Sequence, residues 1–160
     1  MGSHKVKAGG FVGVISDTHG LVRPEALEAL QGSELIVHAG DVGAPGVLEE
    51  LGRVAPVVAV RGNNDRGAWA ERLPLYDAVE VGGAFVYVLH DLKELDIAPA
   101  AAGFRVVVSG HSHKPLVEER RGVLYLNPGS AGPRRFKLPV TLARLKLDGP
   151  DASAEIINLL

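Results

Sequence analysis

Short, almost wholly apolar runs alternate along this chain with polar loops, and the polar residues that follow the runs are chemically alike. Asp, Asn or His side chains come directly after each run or within a few residues of it. A run of about four to eight apolar residues bounded by turn residues is typical of a strand buried in a sheet. The predicted strands are Phe11–Ile15, Leu35–His38, Val57–Val60, Ala84–Leu89 and Phe104–Ser109.

Two short helices are predicted between the first three strands. The segment Pro24–Leu30 has Pro at its first position and ends before Gly32, and Pro45–Leu51 is closed in the same way by Gly52. Pro suits the first turn of a helix, whereas Gly favours its end. The order strand, helix, strand, helix, strand indicates a parallel sheet built from crossover units.

The second half of the chain changes to hairpins. The link Gly82-Gly83 is typical of a tight turn between antiparallel strands, so a second sheet is implied. A further helix is expected over Leu92–Ala102, bent at Pro99, and Asn127–Ser130 is rich enough in turn residues to be a loop. The predicted hairpin strands are Leu75–Val81 with Ala84–Leu89, Leu116–Arg120 with Val123–Leu126, and Val140–Leu147 with Ser153–Ile157.

Composition narrows the class of protein. With 160 residues, 46% of them hydrophobic and 22% charged, the chain is expected to form one domain over residues 1–160. Lys and Arg number 17 against 19 Asp and Glu, so no overall basic field indicates a nucleic-acid binder, and nucleic acid stays possible only as a substrate. The absence of Cys excludes disulfides, a thiolate nucleophile and zinc–thiolate sites. Any metal ion must be held by oxygen and nitrogen.

The first residues contribute no candidate chemistry. Met1–Lys5 lacks the long apolar core of a signal peptide, and no apolar stretch is long enough to span a membrane, which favours a cytoplasmic protein without a membrane segment. Residues 1–8 are expected to be disordered or vector-derived, so His4 is excluded from the candidate site.

The polar residues at the strand ends predict a metal site. Asp17 and His19 are two residues apart, and alternate side chains of extended chain share a face. In a sheet flanked by helices, ligands collect beyond the carboxyl ends of the strands. The glycines of these segments permit sharp turns there. We therefore predict one metal-binding rim from Asp17-Thr18-His19, Gly40-Asp41, Gly62-Asn63-Asn64-Asp65, His90 and Gly110-His111-Ser112-His113.

These motifs, with Asn127-Pro128-Gly129-Ser130, have the order and spacing seen in calcineurin-like metallophosphoesterases, and the chain resembles the small single-domain bacterial and archaeal phosphodiesterases. The resemblance implies a mixed α/β (α+β) fold, a four-layer α-β-β-α sandwich of two mixed sheets flanked by helices. It also implies a two-metal site. Carried over by position, the first metal is held by Asp17, His19, Asp41 and His113, and the second by Asp41, Asn63, His90 and His111, with Asp41 bridging.

The resemblance also implies the chemistry. Mixed imidazole and carboxylate ligands suit two divalent transition-metal ions, with Mn favoured and Fe, Zn, Ni or Co as alternatives. A hydroxide between the ions then attacks the phosphorus of a small phosphate ester. The positive charge left after the ligand carboxylates are counted favours such an anionic substrate over a neutral ester or a peptide. A homodimer or homotetramer is expected by resemblance alone.

Two departures from the family pattern are informative. Many relatives have Gly-Asn-His, where this chain has Gly62-Asn63-Asn64. The amide of Asn64 can donate a hydrogen bond to a phosphoryl oxygen but cannot act as a general acid near neutral pH. Asn64 is therefore the candidate catalytic residue, and the missing His favours a phosphodiesterase over a phosphomonoesterase. Asp91 follows His90 where relatives often have His-Gly-His; it could orient His90 or repel the phosphate of the substrate.

Several other polar residues are interpreted as structural. His38 lies within an apolar strand and is expected to be a hydrogen-bonded core or supporting residue, and Asp65 a hydrogen-bond acceptor beside the ligand loop. The basic turn, residues 134–137, is predicted to be solvated, since its single aromatic residue Phe136 is not the stacking platform of a single-strand binder.

A non-enzymatic alternative stays open. The same fold resembles the retromer scaffold subunit of eukaryotes, which serves in protein assembly. A scaffold can lose metal ligands freely, whereas all seven candidate positions here carry coordinating side chains. The complete set favours the enzyme.

Overall fold

Eleven strands and three helices form the regular structure of residues 2–6 and 9–160, which are the residues that the computed structural model describes. The strands are β1 Gly2–His4, β2 Phe11–Ile15, β3 Ser33–His38, β4 Val57–Ala59, β5 Tyr76–Val81, β6 Ala84–Leu89, β7 Phe104–Val108, β8 Leu116–Arg120, β9 Val123–Asn127, β10 Thr141–Asp148 and β11 Asp151–Asn158. The helices are α1 Pro24–Leu30, α2 Pro45–Gly52 and α3 Ala68–Glu71.

The first sheet has the order β11-β10-β2-β3-β4. Strands β2, β3 and β4 are parallel, as the crossover pattern predicted, and β10 and β11 add an antiparallel hairpin. Ile15 is opposite His38, which is in turn opposite Ala59. Because these three residues are level, the loops that follow them begin at the same edge of the sheet.

The second sheet has the order β1-β5-β6-β7-β9-β8. Strands β6, β7 and β9 are parallel, and β5 and β8 join them through antiparallel hairpins. Gly82 and Gly83 both have positive φ, at 57° and 85°, which is what the tight turn between β5 and β6 requires. The predicted hairpins and the second sheet are confirmed.

The main core lies between the two sheets. Val14 and Val37 of the first sheet belong to one buried cluster with Val88 and Val106 of the second. Helices α1 and α2 cover the outer face of the first sheet, where Leu30 and other apolar helix residues are fully buried in a second cluster. The predicted class, two mixed sheets with helices outside, is confirmed. Among the described residues, no helix has the length and apolar character needed to cross a membrane.

The prediction of a helix over Leu92–Ala102 is wrong. The structure has a single 3-10 turn, Leu92–Glu94, followed by bends and turns. The turn stops because Leu95 has an extended backbone, with ψ at 117°, and Pro99 has no N–H to continue a helix. The spacing of apolar residues that indicated a helix instead reflects packing, because residues of this segment cover the outer face of the second sheet. The fourth layer is therefore irregular chain.

The beginning of the chain also differs from expectation. Gly2–His4 forms a strand that pairs in parallel with Val79–Val81 of β5, so disorder does not hold for these residues. An unpaired β5 edge offers backbone groups to any extended segment nearby. Residues 1, 7 and 8 lie outside the described residues, and the vector origin of the segment stays a prediction.

Candidate metal centre

The loops after five strands converge at one edge of the two stacked sheets. They bring together all seven residues predicted as metal ligands, of which four follow strands of the first sheet and three follow strands of the second. Asp17 and His19 follow β2, Asp41 follows β3, Asn63 follows β4, His90 follows β6, and His111 and His113 follow β7.

Two buried carboxylates form the floor of the site. The Oδ1 atom of Asp17 lies 3.4 Å from His113 Nε2 and 4.0 Å from the Nε2 atoms of both His19 and His90. Asp41 Oδ2 lies 3.3 Å from His90 Nε2 and 3.8 Å from His19 Nε2. These residues form two overlapping groups, each with ligand atoms within 4.8 Å of one another. Both carboxylates face more than one imidazole, so the bridging role of Asp41 stays a prediction.

Asn63 and His111 complete the site at its open side. Asn63 Oδ1 lies 2.9 Å from His90 Nε2 and 3.2 Å from His111 Nδ1. Asn63 and His111 are exposed, while Asp17 and His90 are buried. The site is therefore a cleft with acidic groups at its base and an amide and an imidazole at its mouth.

The backbone at most of these ligands is strained. Left-handed φ angles are uncommon for residues other than Gly, although Asp and His adopt them more often than most side chains, and such conformations cost about 1–3 kcal/mol each. Such strain persists where the surroundings impose it, typically at functional sites. Positive φ occurs at Asp17 (56°), His19 (48°), Asp41 (56°), His111 (70°) and His113 (62°).

Hydrogen bonds orient the ligand atoms. His90 Nδ1 donates to the carbonyl oxygen of Ala39 at 2.8 Å, which leaves Nε2 directed at the carboxylates. Asp17 Oδ2 accepts from Ser16 Oγ at 2.7 Å and from the backbone N–H of His111 at 3.1 Å. The second oxygen of Asp17 is thereby left for another partner.

Unpartnered buried atoms test whether the site suits a metal. Among the described residues, Asp17 Oδ1 and His19 Nε2 are buried without a hydrogen-bond partner. Such groups cost about 1–3 kcal/mol each unless something satisfies them. A divalent cation satisfies both, and a set of carboxylate, imidazole and amide donors without sulfur suits the ions predicted above. The residues present fit a divalent metal site.

The charge states agree with this interpretation. Burial raises the pKa of Asp17, but the nearby His113 imidazole, the hydrogen bond from Ser16 and the proximity of His90 outweigh it and hold the pKa below its usual value. Burial likewise raises the pKa of Asp41, and contacts with His90 and Asn64 lower it well below its usual range. Burial lowers the pKa of His90, whereas the two carboxylates raise it to a net increase. The floor is thus anionic at neutral pH and attracts cations.

Asp65 connects two of the ligand loops. Its carboxylate accepts hydrogen bonds from the backbone N–H groups of Gly62 at 2.8 Å, Gly43 at 2.9 Å and Val42 at 3.2 Å. The interpretation of Asp65 as a supporting hydrogen-bond acceptor is confirmed.

His38 is a neutral core residue. Its Nδ1 accepts from the N–H of Gly40 at 3.1 Å, so Nε2 carries the proton and donates to Thr18 Oγ1 at 3.0 Å. The Thr18 hydroxyl in turn donates to the carbonyl oxygen of Val42 at 2.8 Å. Complete burial lowers the pKa of His38 to about 4. Its predicted structural role is confirmed.

Asn64 lies beside Asp41 at the exposed side of the cleft. Its backbone N–H donates to Asp41 Oδ1 at 2.9 Å, and its side-chain Nδ2 donates to Asp41 Oδ2 at 3.0 Å. The amide has a second N–H. Asn64 therefore holds the Asp41 carboxylate, and its predicted contact with the substrate stays a prediction.

Asp91 contacts a different histidine from the one considered in the sequence. Its Oδ2 lies 3.8 Å from Nε2 of His111, whereas the Nδ1 of His90 is already occupied by Ala39. Of the two alternatives considered for Asp91, orientation of His90 is therefore wrong; the carboxylate faces His111 instead.

Asn127 is a residue of the family motif whose supporting role was not predicted from the sequence. Its Nδ2 donates to the carbonyl oxygen of Gly110 at 3.0 Å and to Ser112 Oγ at 3.1 Å, which holds the loop carrying His111 and His113. Asn127 belongs to the turn-rich family motif Asn127–Ser130, and its place at the end of the apolar run Val123–Leu126, like that of the predicted ligands, is the signal for a role at the site.

Comparison with known proteins shows the family of this chain. The family model for the calcineurin-like phosphoesterase superfamily domain matches residues 11–149. A protein of Methanothermobacter thermautotrophicus named as a probable metallophosphoesterase is 40% identical over 159 residues, covering 92% of each chain. A protein of Methanocaldococcus jannaschii named as a phosphodiesterase is 28% identical over 141 residues, covering 74% of this chain and 82% of its own.

A solved structure shows the same fold at lower identity. Vps29 of Entamoeba histolytica, in complex with zinc, superposes with a TM-score of 0.70 at 21% identity, covering 94% of this chain and 99% of that one. At this identity the likeness concerns the fold.

Proposed function

The chain belongs to the calcineurin-like phosphoesterase superfamily. We propose that it is a phosphodiesterase that hydrolyses a small phosphate ester. The reaction requires two divalent transition-metal ions bound by the protein, and manganese is the favoured metal. When bound, two such ions lower the pKa of water to supply a hydroxide nucleophile and offset charge on the phosphoryl oxygens. The observation that carries the proposal is the pair of unpartnered buried atoms, Asp17 Oδ1 and His19 Nε2, within a ring of acidic and imidazole groups.

The protein's own residues prepare the site for this chemistry. Asp17 and Asp41 stay ionised at neutral pH because their pKa values are lowered, so they balance positive charge in the cleft. His90 presents Nε2 to the site because Nδ1 is held by Ala39. Since metal ligands must be deprotonated, His90 releases any proton from Nε2 on metal binding.

Asn64 determines which leaving groups are favoured. Its amide donates to Asp41 and has a further N–H for a phosphoryl oxygen. An amide does not protonate a leaving alcohol near neutral pH. We therefore expect aryl esters, whose leaving groups are acidic, to be hydrolysed much faster than alkyl esters.

Charge at the mouth of the cleft favours diesters over monoesters. Asp91 and Glu94 line the cleft beside Asn63, where Arg61 is the only Lys or Arg among the described lining residues. A monoester carries a charge of about −1.5 to −2 at neutral pH, whereas a diester carries one negative charge. The carboxylates repel the monoester more strongly.

Hydrolysis of bis(4-nitrophenyl) phosphate, 4-nitrophenyl phosphate and dimethyl phosphate by chelator-stripped protein tests the proposal, with Mn²⁺ added back. We expect metal-dependent turnover of the aryl diester, slower turnover of the monoester and little of the dialkyl ester. Asp41→Asn should lower kcat/KM by about 100-fold or more, because it removes a central negative charge. Asp148→Asn, which alters an exposed carboxylate at the end of β10, is the matched control.

Other outcomes would point elsewhere. Faster turnover of the monoester would identify a phosphomonoesterase. Two tightly bound ions, measured by calorimetry, without turnover of any ester would favour a protein-binding scaffold of the same fold.

A further inference from the structure

A large cavity adjoins the metal centre at His113. It has a volume of about 810 Å³, within the range of small-molecule binding sites. Two separate segments form it, the loop after β7 and the basic turn after β9. Its wall includes His113, Lys114, Arg135, Phe136, Lys137 and Leu138. A group esterified to a phosphate in the metal centre can therefore extend into this cavity.

Phe136 gives the cavity an accessible aromatic ring. The side chain is 93% exposed, and its backbone has φ at 51°, an uncommon conformation for a bulky residue. The turn is closed by a hydrogen bond from the N–H of Leu138 to the carbonyl oxygen of Arg135, at 3.0 Å. A turn held in this way presents the ring to a planar group that stacks on it.

Three cations line the same cavity as this ring. Lys114, Arg135 and Lys137 are exposed, and within residues 2–6 and 9–160 none has a carboxylate oxygen within 4.0 Å, unlike Arg105 and Arg120. The protein as a whole has a net charge of −2, so this cavity is a local reversal of charge. The opposite side of the cleft, with Asp91 and Glu94, is acidic. Such a separation favours binding of an additional anion at the basic side.

We propose that this cavity binds a nucleotide as one of the two groups esterified to the scissile phosphate, with its base on Phe136 and a further phosphate near the three cations. The inference rests on the proposed function. A small alkyl group cannot stack on the Phe136 ring, and a neutral aryl group does not form ion pairs with the three cations. A nucleotide with a further phosphate can form both contacts. A nucleic-acid strand needs several stacking rings, and the cavity offers one among its described residues.

Three esters that release the same 4-nitrophenolate test the proposal in the full-length, Mn²⁺-loaded protein. They are methyl 4-nitrophenyl phosphate, thymidine 5′-(4-nitrophenyl phosphate) and thymidine 3′-phosphate 5′-(4-nitrophenyl phosphate). We expect KM to fall about tenfold from the first to the second, the size of one base–aromatic stack, and several-fold more with the 3′-phosphate. The value of kcat should change less, because the leaving group is the same.

Variants assign each gain to its residue. Phe136→Ala should remove the advantage of thymidine over methyl, and Lys137→Ala together with Lys114→Ala should remove the advantage of the 3′-phosphate. Val117→Ala and Lys146→Ala, which alter exposed side chains outside the cavity, should keep both. Equal KM values for the three esters, or a thymidine advantage that survives Phe136→Ala, would overturn the proposal.

Binding without turnover separates the two proposals. Lack of hydrolysis of all three esters would contradict the proposed function and leave the cavity to be tested with thymidine 3′,5′-bisphosphate by calorimetry. The Kd should rise about tenfold in Phe136→Ala relative to Val117→Ala. An unchanged Kd would overturn the nucleotide site.

Discussion

Single residues in the metal centre are held in place by contacts from other loops. Asp17 has φ at 56°, and its backbone N–H donates to the carbonyl oxygen of Gly40 at 3.0 Å. His19 has φ at 48°, and its backbone N–H donates to the backbone carbonyl oxygen of Asp41 at 3.0 Å. These interloop bonds offset the cost of the left-handed backbone. The same bonds bring both ligands to the floor of the cleft, so their position is set by the fold.

His38 should make folding stability depend on pH. Its pKa is about 4 in the folded protein against an ordinary value of 6.5, so below pH 6.5 the unfolded chain binds a proton that the folded protein does not. Stability is therefore full above pH 6.5 and falls by about 3 kcal/mol as the pH approaches 4. Urea unfolding of chelator-stripped wild type and His38→Asn, from pH 8 to pH 4.5, measures this.

The variant isolates the histidine from other groups. His38→Asn should be less stable at pH 8, because the bond to Thr18 is lost, but should lose less stability towards pH 4.5. Asp17 and Asp41 titrate below this window, and their lowered pKa values act alike in both proteins. A difference between the two proteins that does not vary with pH would contradict the assignment.

At the scale of elements, the ligand loops approach so closely that side chains are excluded. A Cβ on Gly62 would overlap the backbone nitrogen and a side-chain oxygen of Asp41, and a Cβ on Gly110 would overlap Ser16. Gly40 has positive φ in addition, at 101°. Sharp turns at these glycines are predicted from the sequence; for Gly62 and Gly110, the close approach of a neighbouring loop is the stronger requirement.

Substitution of Gly62 by Ala should therefore disturb both stability and metal binding. We expect a loss of about 1–3 kcal/mol in the free energy of unfolding, typical of overpacking, and weaker binding of Mn²⁺, because Asp41 must move. Gly46→Ala is the matched control, since its Cβ meets open space within α2 and Ala stabilises helices by up to about 1 kcal/mol relative to Gly. Urea unfolding and calorimetry compare the two; equal losses would contradict the explanation.

At the scale of the whole molecule, the metal centre joins two sheets. The first sheet carries Asp17, His19, Asp41 and Asn63, whereas the second carries His90, His111 and His113. The inner faces of the two sheets pack through apolar contacts, and hydrogen bonds such as that from His90 to Ala39 join them at the cleft. An ion bound in the cleft therefore adds a link between the two layers that exists only in the folded state.

Metal removal should lower the melting temperature. A ligand present at 100 times its Kd stabilises the folded state by about 2.7 kcal/mol, which corresponds to roughly 5–10 °C for a chain of this size. Thermal unfolding followed by circular dichroism, with and without Mn²⁺, measures the shift. Asp41→Asn should lose most of it and Asp148→Asn none, and two bound ions without a shift in wild type would contradict this account.

Much of the fold was predictable because its signals are local. The strands at Phe11–Ile15 and Ala84–Leu89 are apolar on both faces, since each lies between other layers. The turn at Gly82-Gly83 needs positive φ, and the sequence shows glycine there. By contrast, Leu92–Ala102 has apolar residues that cover a sheet, and their spacing is the same whether the chain is helical or irregular.

Local order along the chain was thus enough to identify the strands, the crossover helices and the set of candidate ligands, because burial selects apolar runs and polar residues follow where those runs end. Contacts between distant segments required the tertiary structure. Asp91 faces His111, because the Nδ1 atom of His90 already donates to the carbonyl oxygen of Ala39 from another loop. The cavity between His113 and Phe136 exists because the neighbouring parallel strands β7 and β9 end at the same edge of a sheet, where the loops that follow them lie side by side. Neither the contact of Asp91 with His111 nor the cavity can be predicted from the spacing of residues along the chain. Both depend on the order of the strands in the sheets and on which side chains reach the same hydrogen-bond partner first.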